Sequence, residues 1–430
     1  MTEKLLRTSL AAVPMFLFAA AGWAQPSSSA AAAPKADQCV ACHTDLEGRL
    51  GDPVKALQKD DVLGQHGLSC ANCHGGDPTQ ESRKAAMDPA KGFVASPKHQ
   101  DIPRFCGKCH SDAAFMKRFD PAERTDQESE YSTSVHGKRL KQGDQKVAVC
   151  TSCHGFHGVK AIKNSTSPVY PLHVAETCGT CHANAAYMQS YGIPTDQLAK
   201  WQASVHGEAM LKKQDLSAPT CNDCHGNHGA SPPSVASVAN VCGTCHVRQS
   251  ELFQKSPHAK PFQALGNGAC VQCHSNHQVH HPSDEMLGVG KQSVCVECHF
   301  EGTSSYKAAA AMNGRIGELA TQIRDAGQIL QQAANDGMEV SRPQFDLREA
   351  ASKLVDARVV IHSFAPAQVD AAVKPGLEVA AKARQSGLLA LADFQFRRKG
   401  LAVSLLFIAI AVAAIFLKLR QIERRQASTN

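Results

Sequence analysis

Residues 134–182 read SVHGKRLKQGDQKVAVCTSCHGFHGVKAIKNSTSPVYPLHVAETCGTCH, and this stretch decides how the middle of the chain folds. It contains two Cys-x-x-Cys-His motifs, which begin at Cys150 and Cys178, and two further histidines, His136 and His157. Large apolar side chains are few, and a segment this short cannot build a hydrophobic core from them. The interior of this region must therefore come from another source.

The same order of features recurs along the chain, which indicates a repeated module with two motifs. A second copy starts at Ser204 and a third at Ser256, and an irregular copy precedes residue 134. Together with one motif ahead of the first copy, the chain has nine motifs, which use all 18 cysteines. From first to ninth they are Cys39-Cys42-His43, Cys70-Cys73-His74, Cys106-Cys109-His110, Cys150-Cys153-His154, Cys178-Cys181-His182, Cys221-Cys224-His225, Cys242-Cys245-His246, Cys270-Cys273-His274 and Cys295-Cys298-His299.

The spacing within each motif is that of covalent haem attachment. Two thiols three positions apart can each form a thioether with one vinyl group of a haem, and the histidine that follows can ligate the iron. Zinc sites also use Cys-x-x-Cys pairs, but they give no reason for a histidine after every second cysteine. A disulfide framework leaves the histidines unexplained as well. The sequence therefore predicts nine covalently bound c-type haems.

Histidines outside the motifs are the candidates for the second axial ligand of each iron. Nine of the 21 histidines belong to motifs, which leaves twelve. Each module offers two of them at equivalent positions, which predicts bis-histidine ligation and low redox potentials. Met116 and Met188 could ligate iron instead, but packing against a porphyrin suits them better. The eight predicted modular ligands are His66, His99, His136, His157, His206, His228, His258 and His277.

The ninth iron needs a ligand from outside the modules. His362 is the favoured candidate, because it lies beside the apolar seam of a predicted helix. A solvent-exposed role for His362 stays open, and His173, His280 and His281 could each take its place as the ligand.

After residue 303 the composition changes to that of amphipathic helices. Ile316, Leu319, Ile323, Ala326, Leu330 and Ala333 form one helical seam, which Asp336-Gly337 is expected to end. Pro343 is a possible start for a second helix, and Pro366 with Pro375-Gly376 is expected to interrupt the chain before a third. The fold class is thus mostly α and irregular: coil and short helices wrapped around haems, then a helical hairpin or bundle and one transmembrane helix.

Both ends of the chain carry targeting signals. Residues 1–24 resemble a signal peptide and 25–38 a flexible lead-in, although an uncleaved N-terminal anchor is an alternative. Residues 401–417 are uncharged and mostly apolar, just long enough to span a bilayer; a buried core helix is the other interpretation. We expect a haem domain over 39–302, a helical stalk over 303–396 and a cytoplasmic tail over 418–430. Haem attachment outside the cytoplasm places the haem domain in the periplasm, anchored to the inner membrane.

The net charge of +6 does not indicate a nucleic-acid partner. Nine haems would add about eighteen propionate groups, which bring the holoprotein close to neutrality. The density of one motif per about 29 residues also excludes a conventional enzyme domain around a single buried active site.

Residues 39 to 299 resemble multihaem c-type cytochromes of the low-potential, bis-histidine kind with doubled motifs. This resemblance implies close-packed haems that pass electrons along the chain. An electron-transfer protein, with a membrane quinol-oxidising complex on one side and periplasmic or outer-membrane cytochromes or reductases on the other, is favoured over an enzyme. The alternative is a multihaem reductase of nitrite, hydroxylamine or sulfur oxyanions, which would need one haem with an open axial position.

A third possibility is direct oxidation of quinol. The small anchored quinol dehydrogenase cytochromes have similar haems, but they carry the anchor ahead of the first haem. Here about 100 residues separate Cys298 from Leu401, so a membrane partner suits this chain better.

Overall fold

The computed structural model describes residues 37–234 and 238–427, and within these ranges the protein is helical and has no β-strand. The predicted signal peptide, most of the lead-in and the last three residues of the tail lie outside them. This agrees with the mostly α fold class expected from the sequence.

Short helices separated by coil make up the chain as far as residue 303. The longest of them has only 12 residues, because Gly, Pro and Asn interrupt the sequence every few positions. In chain order they are α1 Gln38–Thr44, α2 Asp52–Lys59, α3 Val62–Gln65, α4 Cys70–His74, α5 Arg83–Ala86, α6 Ile102–His110, α7 Ala113–Met116, α8 Gln127–Thr133, α9 Val135–Lys141, α10 Cys150–His154, α11 Pro171–His182, α12 Ala185–Met188, α13 Gln197–Gln202, α14 Val205–Lys213, α15 Cys221–His225, α16 Val238–Gly243, α17 Val247–Gln254, α18 Ala259–Leu265 and α19 Val271–His274.

Three long helices follow: α20 Ser304–Asn335, α21 Ser341–Val360 and α22 Pro366–Ala427. They pack against one another, which decides between a hairpin and a bundle in favour of a three-helix bundle. We call α20, α21 and the part of α22 before residue 397 the C-terminal bundle. Its buried side chains include Ile316, Leu319, Leu330, Ala333 and Leu354, and four of these five lie on the seam expected for the first helix.

The prediction of a break at Pro366 and Pro375-Gly376 was wrong, since α22 begins at Pro366 and continues through Pro375. A proline inside a helix removes one hydrogen bond, but packing against α20 and α21 holds this helix together. Gly376 explains the sequence pair: a Cβ atom there would lie 2.9 Å from Leu319 Cδ2 and 3.0 Å from Lys353 Cβ. The two residues allow close helix packing rather than a turn.

The second helix begins at Ser341, two residues ahead of the proposed start at Pro343. The last part of α22 is the segment long and apolar enough to cross a bilayer, with a mean hydropathy of 2.8 over its most apolar 18 residues and none of that window buried. A buried core helix does not fit this exposure.

The described chain forms two compact units. The first comprises the residues up to Lys55 and Ser69–Ala95; in it α1 packs on α4 and Gln38 N donates to Pro78 O at 2.8 Å. The second comprises Ala56–Leu68 and the residues from Ser96 onward, including the bundle.

Candidate haem-binding sites

The attachment motifs lie on short helices that bring the two cysteines to one side. Residues three apart on a helix face the same way, so both thiols can reach one ligand edge. The residue before the second cysteine often caps the start of the helix with its side chain. This hydrogen bond joins Ser69 N to Asn72 Oδ1 at 2.7 Å, Val149 N to Ser152 Oγ at 3.0 Å and Thr220 N to Asp223 Oδ2 at 2.7 Å. All 18 cysteines are free of disulfide bonds.

A sharp turn follows the motifs that open a module. Gly155 and Gly226 have φ angles of +77° and +80°, a region that favours glycine, and Ser275 has +66° at the same position. The turn directs the next histidine, three residues after the motif histidine, away from its own helix. The two histidines of such a pair therefore serve different sites.

Three distal candidates face a motif histidine of their own module. The ring centroids lie 6.1 Å apart for His136 and His182, 6.4 Å for His206 and His246, and 5.7 Å for His258 and His299. In each pair the distal histidine starts the module, and its partner belongs to the second motif of that module.

Three other pairs join different parts of the chain. His154 faces His228 with centroids 6.1 Å apart, and His225 faces His277 at 5.9 Å; the ring planes are nearly parallel, at 11° and 9°. In both cases the distal histidine comes from the following module. The third pair is His274 and His362, at 6.1 Å and 23°, where the distal histidine comes from the C-terminal bundle.

These spacings fit an iron between the rings. An imidazole nitrogen binds a first-row metal at about 2 Å, so two bonds and two ring radii place the centroids about 6 Å apart. The six observed separations lie between 5.7 and 6.4 Å. The thiols of a motif adjoin one ring of each pair, as covalent haem attachment requires. The residues present therefore fit haem c, whose iron would supply the one-electron chemistry.

Several paired histidines are held in the form that can bind a metal. Burial lowers the pKa of these imidazoles, and the facing imidazole lowers it further, so they stay neutral near pH 7. This applies to His136, His154, His206, His258, His274 and His277. At His362 burial lowers the pKa as well, while Nδ1 donates to Val359 O at 2.9 Å and leaves Nε2 for a metal.

The helix start that carries a distal histidine is built identically in two modules. Ser134 Oγ accepts from Gly137 N at 2.9 Å, and Ser204 Oγ accepts from Gly207 N at 3.1 Å, so each serine caps its helix. The next residue donates its backbone N–H to the segment that follows a distal histidine of the next module. These bonds join Val135 N to Ala230 O and Val205 N to Val279 O, both at 3.0 Å.

A third copy of this arrangement lies in the irregular module, where sequence reasoning missed it. Val62 N donates to Val159 O at 2.7 Å, and Asp61 takes the place of the capping serine. Asp61 is buried, and its Oδ2 also accepts from Gly158 N at 2.7 Å. Asp61-Val-Leu-Gly64 thus corresponds to Ser134-Val-His-Gly137, with Leu63 at the ligand position. Similarity between the two tetrapeptides could have revealed it.

The turn between α21 and α22 contacts both haem sites of the last module. His362 faces His274, and Phe364, at φ +51°, lies with its ring 4.1 Å from that of His258, the partner of His299. One helical turn before His362, Arg358 donates through Nε and Nη2 to the two carboxylate oxygens of Asp284, at 2.8 and 2.7 Å.

Ligation by His66, His99 and His157 stays a prediction. His66 lies with its ring 5.4 Å from Phe119, and His99 Nε2 lies 2.9 Å from Val147 O. His157 contacts Phe156, and His173, a candidate for the ninth ligand, has Nε2 2.9 Å from Ser165 O. Their irons would be those of the first three motifs, His43, His74 and His110.

The turn after His277 and two short helices hold the other residues considered as ligands. His281 Nδ1 lies 3.2 Å from Pro282 O in this exposed turn, which also contains His280. Met116 and Met188 end the short helices α7 and α12, and Met188 is buried.

Comparison with protein families gives one match. The family described as "Cytochrome c554 and c-prime" matches residues 21–75 and 241–317, which include the first two and the last three motifs. This supports a multihaem c-type cytochrome with covalently bound haem c, and it suggests electron transfer. Neither curated proteins nor solved structures gave a match to the chain.

Proposed function

We propose that this protein is a membrane-anchored periplasmic cytochrome that binds nine haems and carries electrons between a quinol-oxidising membrane complex and periplasmic or outer-membrane acceptors. The observation that carries the proposal is the set of six facing imidazole pairs, each with one histidine from an attachment motif. Two neutral imidazoles on one iron leave no position for a substrate, which suits a carrier and gives a low potential.

In this proposal the chain's own residues bind, orient and shield the haems. The cysteines hold each haem at one edge, and the neutral histidines close both faces of the iron. The caps at Ser134 and Ser204 hold the distal helices in place. The apolar end of α22 supports a membrane anchor, with the haem region on the periplasmic side.

The mass of the mature protein together with low-temperature EPR tests this function. We expect an added mass of nine haems and only low-spin ferric signals from the six paired sites. A single-site variant sharpens the test: His362→Ala should give one new high-spin signal, from the eighth haem. His281→Ala, in an exposed turn, is the control and should leave the spectrum unchanged. High-spin signals from several haems of the unchanged protein would contradict the proposal.

A second candidate function rests on Leu63. Among the described residues no imidazole is in ring contact with His110, and Leu63 occupies the position that His136 and His206 have in the later modules. This favours an open third haem, as a reductase of nitrite, hydroxylamine or sulfur oxyanions would need. Carbon monoxide binding to the reduced protein distinguishes the two functions. Binding that Leu63→His abolishes would support the reductase, and no binding would support the carrier.

A further inference from the structure

The cysteines of different motifs contact one another in chain order. Each thioether sulfur would lie at the edge of its haem, so a contact between cysteines of two motifs brings two haem edges together. The following argument rests on the proposed function, because it treats every motif as a haem site.

One kind of contact joins the first cysteines of two motifs. Cys106 is hydrogen-bonded to Cys150, Cys178 to Cys221 and Cys242 to Cys270. The helices agree with these contacts, since α6 packs on α10 and α11 packs on α15. These junctions link the third haem to the fourth, the fifth to the sixth and the seventh to the eighth.

The second kind of contact starts from the second cysteine of a motif and lies within a module. Cys153 is close enough to Cys181 to raise its own pKa beyond the effect of burial, Cys224 is similarly close to Cys242, and Cys273 to Cys295. These junctions link the fourth haem to the fifth, the sixth to the seventh and the eighth to the ninth. The two kinds therefore alternate without a gap from the third motif to the ninth.

The axial ligands reinforce this order. The fourth haem takes His228 from the segment just after the sixth motif, and the sixth takes His277 from just after the eighth. Each of these ligands reaches back across one intervening haem. The eighth haem takes His362 from the bundle, so the ligands extend the same order to the C-terminal helices.

We infer that the haems of the third to ninth motifs form one unbranched file in chain order, and that electrons pass through it one neighbour at a time. The ninth haem is the end beside the bundle, since Cys295 packs against the apolar core that holds Leu287, Met312 and Ile316. The third haem is the opposite end of the file.

Electron injection at either end of the file tests this inference. Lys307 is exposed at the start of α20, near the ninth motif, and Lys117 is exposed just after the helix that follows the third. Haem attachment consumes all native thiols, so Lys307→Cys or Lys117→Cys gives one free thiol for a ruthenium photosensitiser. The full-length holoprotein is used throughout.

Reporter haems mark the position of the electron. A methionine ligand raises the potential and changes the spectrum, so a His-to-Met variant makes one haem an identifiable trap. His206→Met marks the seventh haem, His277→Met the sixth and His228→Met the fourth; His136→Met, at the fifth, replaces any reporter that fails to bind nine haems. From position 307 the seventh haem should be reduced first, then the sixth, then the fourth. From position 117 the order should reverse.

Each outcome has a separate meaning. The same order from both ends, or arrival at the sixth haem before the seventh from position 307, would overturn the single file. A holoprotein variant without the methionine-ligated spectrum would instead contradict the ligand assignment and so the proposed function. His281→Met is the matched control, because it should add neither a new spectrum nor a trap.

Discussion

The C-terminal bundle and the region between residues 96 and 299 reach burial by different means. In the bundle Leu319, Leu330 and Val373 have no exposed surface and belong to clusters of apolar side chains. The earlier region has two clusters of its own, around Val149 and around Met210, and each contains only three buried residues. Its histidine pairs instead enclose the spaces that haems would fill. The comparison teaches that one part of the chain supplies its own core, while the other needs a cofactor to complete it.

The largest expected effect comes from withholding the haems. A protein made without haem attachment should lose the compact structure of residues 39–299, because its small side-chain clusters cannot offset the lost chain entropy. The bundle should stay helical, since its core contains no haem contact beyond one end. Limited proteolysis with mass mapping checks this, and equal resistance of both regions would contradict the comparison.

Removing side-chain volume from the bundle should have the opposite pattern. Leu319→Ala should lower the free energy of unfolding of the bundle by about 2 to 5 kcal/mol, because Leu319 is fully buried. Leu389, which is 61% exposed on α22, provides the control, and Leu389→Ala should change stability by less than about 0.5 kcal/mol. Hydrogen exchange of the bundle measures both, while the haem spectra should not change.

Adding volume at the proline-glycine pair tests the close packing of α22. Gly376→Ala should cost about 1 to 3 kcal/mol, since the new methyl would press on Leu319 and on Lys353 Cβ. Gly400 lies on the same helix with nothing within 4 Å of a Cβ atom, so Gly400→Ala should be neutral or slightly stabilising. Thermal unfolding of the two variants in detergent distinguishes them, and equal midpoints would contradict the packing argument.

The smallest effect is expected where the two regions meet. Arg358→Ala removes the paired hydrogen bonds to Asp284 and should cost about 1 kcal/mol or less, because both side chains are partly exposed. If the pair also holds His362 against His274, the eighth haem should gain high-spin character at lower temperature than in the unchanged protein. Arg342→Ala, at an exposed ion pair far from the haem sites in the sequence, serves as the control.

Much of the architecture could be predicted because local chemistry determines it. The Cys-x-x-Cys-His spacing marks the attachment positions, and the seam containing Leu319 and Leu330 indicates a packed helix. The break at Pro375 was wrong because residue propensity carries no information about α20 and α21, whose packing outweighs the lost hydrogen bond.

The matching of ligands to irons could not be predicted for a different reason. Internal repeats show that His157, His228 and His277 are equivalent, but they do not show which iron each one reaches. His154 and His228 are brought together by the stacking of consecutive modules, which depends on backbone bonds such as that from Val135 N to Ala230 O. Asp61 and Leu63 were missed because their copy of the repeat lacks both the serine and the histidine.

The uninterrupted course of α22 has a geometric consequence. About 30 residues separate its start, beside His362, from Arg397 at the edge of the apolar segment, which is about 45 Å of helix at 1.5 Å per residue. A rod of this length would keep the eighth haem at a constant altitude over the lipid and would let it sweep only sideways. Redox partners in the same bilayer would then meet it by a two-dimensional search, and only those whose own centres reach that altitude could exchange electrons with it.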